Sequence, residues 1–361
     1  MAVILKHKGF VYSLLQWNNE SNTRIMPWKG EKDPYKIWLS EIILQQTRVE
    51  QGLNYYNRFI KIYPTIDLLA NAPENEIFKL WEGLGYYTRC KNLIATAKHI
   101  SENLSGVFPD KYEDILKLKG IGPYTAAAIS SFAFNLAHAV VDGNVFRVLS
   151  RYFGITTPID STAGKKTFTN LADELLDKKF PAIYNQALMD FGAIICKPQI
   201  PLCKDCMLQI ECKAYNQSLV HILPIKEKKI TKKTRWLYYL VIEHEGKQYV
   251  RKRGAKDIWE NLYEFVLIES EKAQQLEYLK THPEIVALFD KNSFEIIHIS
   301  SLYKQLLTHQ IIQGQFIKIK IGKPLNNAAY EAVLPEEINK LPFPKFIAAY
   351  LIDKNVSLNL F

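Results

Sequence analysis

The sequence predicts a multidomain chain, an all-α region followed by an α+β domain, on three observations. At 361 residues the chain is longer than one compact hydrophobic core usually grows, which favours two domains. Up to about residue 215 the apolar positions recur at helical spacing and no alternating strand pattern stands out. Beyond a lysine-rich break at Pro224–Arg235 (PIKEKKITKKTR) the pattern turns to strands and a hairpin.

In the first region, helix boundaries carry explicit signals. Asp33-Pro34 places a capping carboxylate ahead of a proline at the first helical position, and Gly83 and Gly106 follow runs that end in helical spacing. Pro64, Pro73 and Pro109 punctuate further boundaries. The lysine-rich break reads as an exposed tether between domains, free to lie along phosphates or in water. After it, Trp236–Glu243, Gln248–Arg253, Leu262–Ile268 and Gln315–Ile321 read as strands, with a turn at Glu245-Gly246-Lys247. Helical patterns at Glu271–Thr281 and Pro335–Leu341 make this second domain α+β. No internal repeat is visible.

Hydrophobic residues at 48% and charged residues at 23% suit a folded globular chain and exclude a fibre or a disordered polymer. The longest apolar runs, around Ala126–Ile129 and Phe132–Phe134, are too short to cross a bilayer, and the N-terminus lacks a signal-peptide core. An intracellular, cytoplasmic protein is expected. A formal charge of +9 and a pI near 9.0 suit a polyanionic partner without proving one.

Of five cysteines, Cys196, Cys203, Cys206 and Cys212 fall within 17 residues, whereas Cys90 stands apart as an expected semi-buried helix thiol. Such clustering points to a metal centre. One compact loop with irregular 6-2-5 spacing suits a 4Fe-4S cubane. A zinc site, the alternative, more often pairs two CxxC knuckles across a longer segment.

Three further segments carry chemistry. Asp114–Ile129 (DILKLKGIGPYTAAAI) reads as a short helix, a Gly120-Ile121-Gly122 turn and a helix opened by Pro123. Its glycines permit a tight hairpin whose free N–H groups would face a phosphate, or simply join two helices. Glu41 sits among Trp38, Ile42 and Ile43, where an apolar face favours the neutral acid, although the residue also reads as solvent-facing. Asp142, in VVDGNVFRVL, reads first as a helix N-cap.

These motifs together resemble the adenine-excising (MutY) branch of helix-hairpin-helix DNA glycosylases, strongly over Trp28–Cys212 and loosely beyond. WLSEIILQQTRVE (Trp38–Glu50) resembles that family's signature over its whole length. The resemblance implies base-excision repair by a monofunctional hydrolase that flips adenine out of a mispair with 8-oxoguanine or guanine and breaks its N-glycosidic bond. It implies Glu41 as the acid that protonates N7 of the departing base, and Asp142 as the carboxylate that stabilises the sugar cation. Asn144 would orient Asp142, and Tyr124 would face the same centre. Bifunctional relatives carry a Schiff-base lysine at that position, so its absence implies release of the base without strand cleavage. Lys119 would meet phosphate, as would the backbone at Gly120 and Gly122.

The resemblance further implies Trp28 and Gln186 in the adenine pocket, Leu44 as its wall, Gln46 and Tyr86 inserted at the mispair, and Thr47 among the residues that meet the DNA. Lys29 stands where the family often has arginine and lacks its planar fork. The cysteine loop resembles the family's structural 4Fe-4S loop. Residues 31–136 would form a six-helix barrel, residues 1–30 with 137–217 a cluster domain, and the active site the cleft between them. Residues 218–234 would be the basic linker and 235–361 a Nudix-like domain. That domain shows no acidic Mg²⁺-binding box, so nucleotide hydrolysis is not expected. Leu307-Thr308-His309 aligns with a Phe-Ser-His loop that reads the damaged base, keeping a hydroxyl and an imidazole in Thr308 and His309 but not the aromatic. The implied partner is double-stranded DNA, met by a monomer without a membrane.

Overall fold

The computed structural model describes residues 7–227, 231–289 and 294–353. The chain forms two compact units: Met1–Ala70 with Ala95–Lys229, and Asn71–Ile94 with Ile230–Phe361.

The first unit is helical, as the 3.6-residue periodicity predicts. Its elements are α1 (Lys8–Glu20), α2 (Pro34–Leu44), α3 (Val49–Ile62) and α4 (Ile66–Asn71), which runs one residue into the second unit. After the second unit's insertion come the C-terminal part of α6 (Tyr87–Asn103), α7 (Tyr112–Lys117), α8 (Pro123–Phe134), α9 (Gly143–Phe153), α10 (Thr162–Leu175), α11 (Pro181–Ile194) and the short α12 (Lys213–Asn216). Asp33 caps α2, its carboxylate accepting from the Tyr35 N–H at 2.9 Å with Pro34 at the first helical position. α2 packs on α3 and α8, and α11 packs on α1 and α9. Phe10, Leu14 and Trp17 of α1 join Val145, Leu149, Tyr184, Leu188 and Phe191 in one buried core. Burying side chains of this size contributes roughly 1.5–3 kcal/mol each. The N-terminal helix is thereby fixed against the helices that carry the later motifs.

In the second unit α5 (Glu74–Trp81) and the start of α6 pack with the sheet domain. The contiguous division expected from the sequence differs from this one, in which residues 71–94 form one compact unit with the later segment. The strands are β1 (Lys233–His244), β2 (Lys247–Lys252), β3 (Tyr263–Glu264), β4 (Val266–Ser270), β5 (Phe294–Ile299), β6 (Tyr303–Leu306), β7 (Gln310–Ile321) and β8 (Glu331–Val333). β1 and β7 pair in parallel through the middle of the order β3-β2-β1-β7-β5, and every other pairing is antiparallel. Helices α13 (Leu276–Lys280) and α14 (Pro283–Phe289) contribute Leu279, Ile285 and Phe289 to the core on one sheet face. α15 (Pro335–Ile338) and α16 (Lys345–Ile352) complete the unit.

Several expectations are corrected here. The helix predicted over Glu271–Thr281 is confined to Leu276–Lys280, since the strand before it runs on to Ser270. The lysine-rich tether does not reach Arg235, which lies buried in β1 with its guanidinium paired to Asp257 and Glu269. Nor does the linker begin at 218, because Val220 and Leu223 pack on Ala214. Cys90 is fully buried, and burial pushes its thiol well above the usual range. Among the described residues no helix is long and apolar enough to cross a membrane.

Candidate active site

A pocket of about 600 Å³ in the helical unit is lined by Trp28, Lys29, Glu41, Leu44, Gln46, Thr47, Tyr124, Asp142, Asn144 and Gln186, residues drawn from positions 28 to 186 of the chain. Each arrives on a different support. α2 presents Glu41, and Leu44, Gln46 and Thr47 follow at its C-terminal end. Gln46 takes a left-handed φ of 56°, a strained conformation for a residue with a side chain, which turns the chain at the pocket rim. The hairpin brings Tyr124, the second residue of α8, towards α2; Gly120 at φ 79° makes the turn and Gly122 caps α8 in an extended conformation. Both glycines lie on the exposed hairpin, outside the pocket lining.

Glu41 is only 7% exposed, which decides against the solvent-facing reading. The Tyr124 hydroxyl donates to its Oε2 at 2.7 Å. Burial pushes the Glu41 carboxyl up to about 7, the Tyr124 hydrogen bond opposes that rise, and the charge of Asp142 adds to it. Burial also holds the Tyr124 hydroxyl far above its ordinary value, so it remains a donor.

Asp142 is both the N-cap its sequence suggests and a pocket residue. Its Oδ1 accepts from the Val145 N–H at 2.8 Å, closing the first turn of α9, while Oδ2 accepts from Asn144 Nδ2 at 2.7 Å. Burial raises this carboxyl, and the Val145 and Asn144 donors and the Arg147 charge oppose it. Asn144 is fixed in turn by Arg147, which donates to Asn144 Oδ1 at 2.8 Å, to the Gly192 carbonyl at 2.7 Å and to the Cys196 carbonyl at 2.6 Å. Gly192 permits this approach, because a Cβ there would stand 2.7 Å from Asn144 Cβ. Trp28, 9% exposed, meets Tyr56 edge-on at 5.3 Å between centroids.

Sequence reasoning missed Arg147, Gly192, Arg24 and Asp190. The fully buried Asp190 gathers Asn22, Arg24, Lys29 and Gln186 within 2.8–3.0 Å. No local pattern marks a pairing across 166 residues, such as Arg24 with Asp190.

The four clustered cysteines form no disulfide and line one small cavity of about 30 Å³ with Val148, Arg151 and Phe191. Burial first, and then the neighbouring cysteines, push Cys206 up to about 12 and raise Cys203 and Cys212. Arg151 holds the loop, with NH1 reaching Cys196 Sγ at 3.5 Å and the Lys197 carbonyl at 2.7 Å. Among the described residues, no group of three or more His, Cys, Asp and Glu side chains is set to hold a metal ion.

Tyr86, Thr308 and His309 lie in the second unit and line another cavity, of about 470 Å³, with Leu307, Lys91, Trp259 and Glu260. Leu307-Thr308-His309 is the turn between β6 and β7, and the hydroxyls of Tyr86 and Thr308 are hydrogen-bonded. Tyr86, like Gln46, adopts a left-handed φ, here 50°.

Comparison with known proteins addresses the family and the fold. Residues 39–173 match the family described as HhH-GPD superfamily base excision DNA repair protein. The chain is 37% identical over 318 residues to the adenine DNA glycosylase of Buchnera aphidicola subsp. Baizongia pistaciae, covering 87% of each chain. It is 40% identical over 218 residues to the mouse adenine DNA glycosylase, covering 58% of this chain and 42% of that one. Among solved structures, a thermostable thymine-DNA glycosylase superposes with a TM-score of 0.55 at 32% identity, over 60% of this chain and all of the other. An endonuclease III bound to DNA shares the fold at a TM-score of 0.51 and 19% identity, over 60% of this chain and 97% of the other. The chain therefore belongs to the adenine DNA glycosylases of base excision repair, DNA N-glycosylases built on the helix-hairpin-helix fold.

Proposed function

We propose that the chain removes adenine mispaired with 8-oxoguanine or guanine in double-stranded DNA, with Glu41 as general acid and Asp142 as the carboxylate facing the sugar. The observation that carries the reading is one pocket holding two carboxyls in different environments. Glu41 has an apolar setting and one hydroxyl donor, which favours its protonated form near neutrality. Burial raises the Asp142 carboxyl too, but two close donors and a guanidinium behind them oppose that rise, a support that Glu41 lacks. Pairs of carboxyls whose surroundings separate their protonation divide acid and charge-stabilising work between them.

In this reading the mispaired adenine leaves the duplex, at an unstacking cost of a few kcal/mol that a mismatch lowers. Trp28 and Leu44 provide apolar walls for the base. Glu41 delivers a proton to N7, so that the base departs neutral, as positioned acids do for roughly a 10²- to 10⁴-fold gain. Asp142 stabilises the positive charge that develops on the sugar, and water completes the hydrolysis. Tyr124 orients Glu41 and offers no amine, so no Schiff base forms and the product is an abasic site. The outward N–H groups of the Gly120–Gly122 hairpin and Lys119 suit phosphates.

The cavity of Tyr86, Thr308 and His309 is suited to the opposite base, with hydroxyl and imidazole groups for its edge and a phenol ring for stacking. The four cysteines lie on one compact loop with irregular spacing and line one cavity, which suits a 4Fe-4S cluster better than zinc, whose sites more often pair two separated CxxC knuckles. Bound there, the cluster would tie residues 196–212 into one rigid structural loop without entering the reaction.

The test is single-turnover adenine release from duplexes pairing adenine with 8-oxoguanine, guanine or thymine, by wild type, Glu41→Gln and Asp142→Asn. Release confined to the first two duplexes and lost in both variants is expected. Release from the thymine duplex at equal rate, or undiminished activity in either variant, would refute the reading.

A further inference from the structure

We propose that Asp190 is a positioning residue that sets base specificity: it holds the Gln186 amide by its nitrogen so that the carbonyl oxygen faces the base, selecting a purine with an exocyclic amine. The inference rests on the pocket assignment above and adds the reason for its selectivity.

Asp190 lies one helical turn beyond Gln186 on α11 and is completely buried. Its Oδ1 accepts from Arg24 NH1 at 2.8 Å and from Gln186 Nε2 at 2.9 Å. Its Oδ2 accepts from Asn22 Nδ2 and Lys29 Nζ, both at 3.0 Å. Ion-paired to Arg24 and Lys29, the Asp190 carboxylate presents only acceptor oxygens to its neighbours. It can therefore take the NH₂ end of Gln186 and never the carbonyl end, so chemistry alone assigns the amide orientation. Among the described residues no donor reaches Gln186 Oε1, and Gln186 lines the pocket while Asp190 does not.

An amide free to rotate would serve a donor or an acceptor equally. Pinned through its nitrogen, Gln186 offers the pocket an acceptor that matches the amino group at C6 of adenine and opposes the carbonyl that guanine and hypoxanthine carry there. Sites built for one hydrogen-bonding partner reject its absence strongly, because the buried polar group is left unpaired. The same carboxylate uses Arg24 and Lys29 as its counter-ions, so the assembly joins two distant segments of the chain, residues 22–29 and α11.

The experiment compares single-turnover release of adenine and of hypoxanthine, each placed opposite 8-oxoguanine in the same duplex, by wild type and Asp190→Asn. An asparagine can donate to Gln186 Oε1 and let the amide turn its NH₂ to the pocket. The adenine-to-hypoxanthine ratio should fall at least about tenfold in Asp190→Asn, whereas a structural disturbance would slow both bases together. An unchanged ratio in the folded variant, with wild type still releasing adenine, overturns the role of Asp190 and leaves the pocket assignment standing; absence of adenine release by wild type overturns both. Should Asp190→Asn not fold, wild type alone decides. Equal release of the two bases, or rapid solvent exchange of the Gln186 side-chain amide protons in the free protein, overturns the proposal. Strong preference for adenine with protected amide protons supports it.

Discussion

Arg147 donates a 2.6 Å hydrogen bond to the backbone carbonyl of Cys196, the first cysteine of the clustered loop. The same guanidinium reaches Asn144, which holds Asp142, so one side chain joins the cysteine loop to the carboxylate on the pocket wall. Arg147→Met should slow adenine release roughly 10- to 100-fold, as expected for losing a hydrogen bond involving a charged group. It should also lower the melting temperature. Single-turnover rates and a thermal melt check this, and an unchanged rate would separate Asn144 from Arg147.

Gly192 should tolerate no side chain. Its Cβ position lies 2.7 Å from Asn144 Cβ and 3.0 Å from the Asn144 carbonyl oxygen, so Gly192→Ala must displace the residue that orients Asp142. A loss of release rate larger than the loss of DNA affinity is expected, because the change acts on the carboxylate and not on the phosphate contacts. Parallel rate and binding measurements on one protein preparation decide it.

Glu41 supplies a pH dependence whose sign follows from burial. With its carboxyl raised to about 7, adenine release by the free enzyme should decline as pH rises through that value. Tyr124→Phe removes the hydrogen bond that lowers this pKa and should move the decline to higher pH while reducing the rate. A pH–rate profile shifted the opposite way would contradict the arrangement.

The same group also affects stability. Between the unfolded carboxyl's ordinary 4.5 and about 7 the unfolded chain ionises while folded Glu41 keeps its proton, so the native state loses stability as pH rises across that window. Glu41→Gln cannot ionise and should be more stable than wild type by about 1–3 kcal/mol at pH 8, with the advantage vanishing near pH 4. Denaturant titrations at the two pH values give the difference directly.

Cys203→Ser should impair folding and DNA binding together, because the four thiols close one cavity between Arg151 and the α9–α11 core. Its melting temperature should fall, and activity normalised to correctly folded protein should be close to wild type. Normalised activity reduced to the level of the Glu41 variant would give the loop a direct part in the reaction.

Much of this molecule is written in short-range patterns. The Asp33-Pro34 cap, the glycine hairpin, the helical periodicity before residue 215, the β1–β2 hairpin and the cysteine spacing are local, and each is present in the structure because caps, turns and periodicity act over a few residues. Glu41, Asp142 and Tyr124 were recognisable because each belongs to a segment that resembles a family signature. Short edge strands such as β5 and β6 escaped notice, since four to six residues of mixed exposure give weak alternation.

Tertiary structure alone decided the rest. The burial of Glu41, the position of Arg147 between Asn144 and Cys196, the room that Gly192 leaves, and the convergence of Asn22, Arg24, Lys29 and Gln186 on Asp190 join residues far apart in the chain. The same holds for the packing of residues 71–94 with the sheet unit. A sequence specifies which groups can donate, accept or ionise, whereas the environment that fixes their partners and their protonation exists only once distant segments have buried them together.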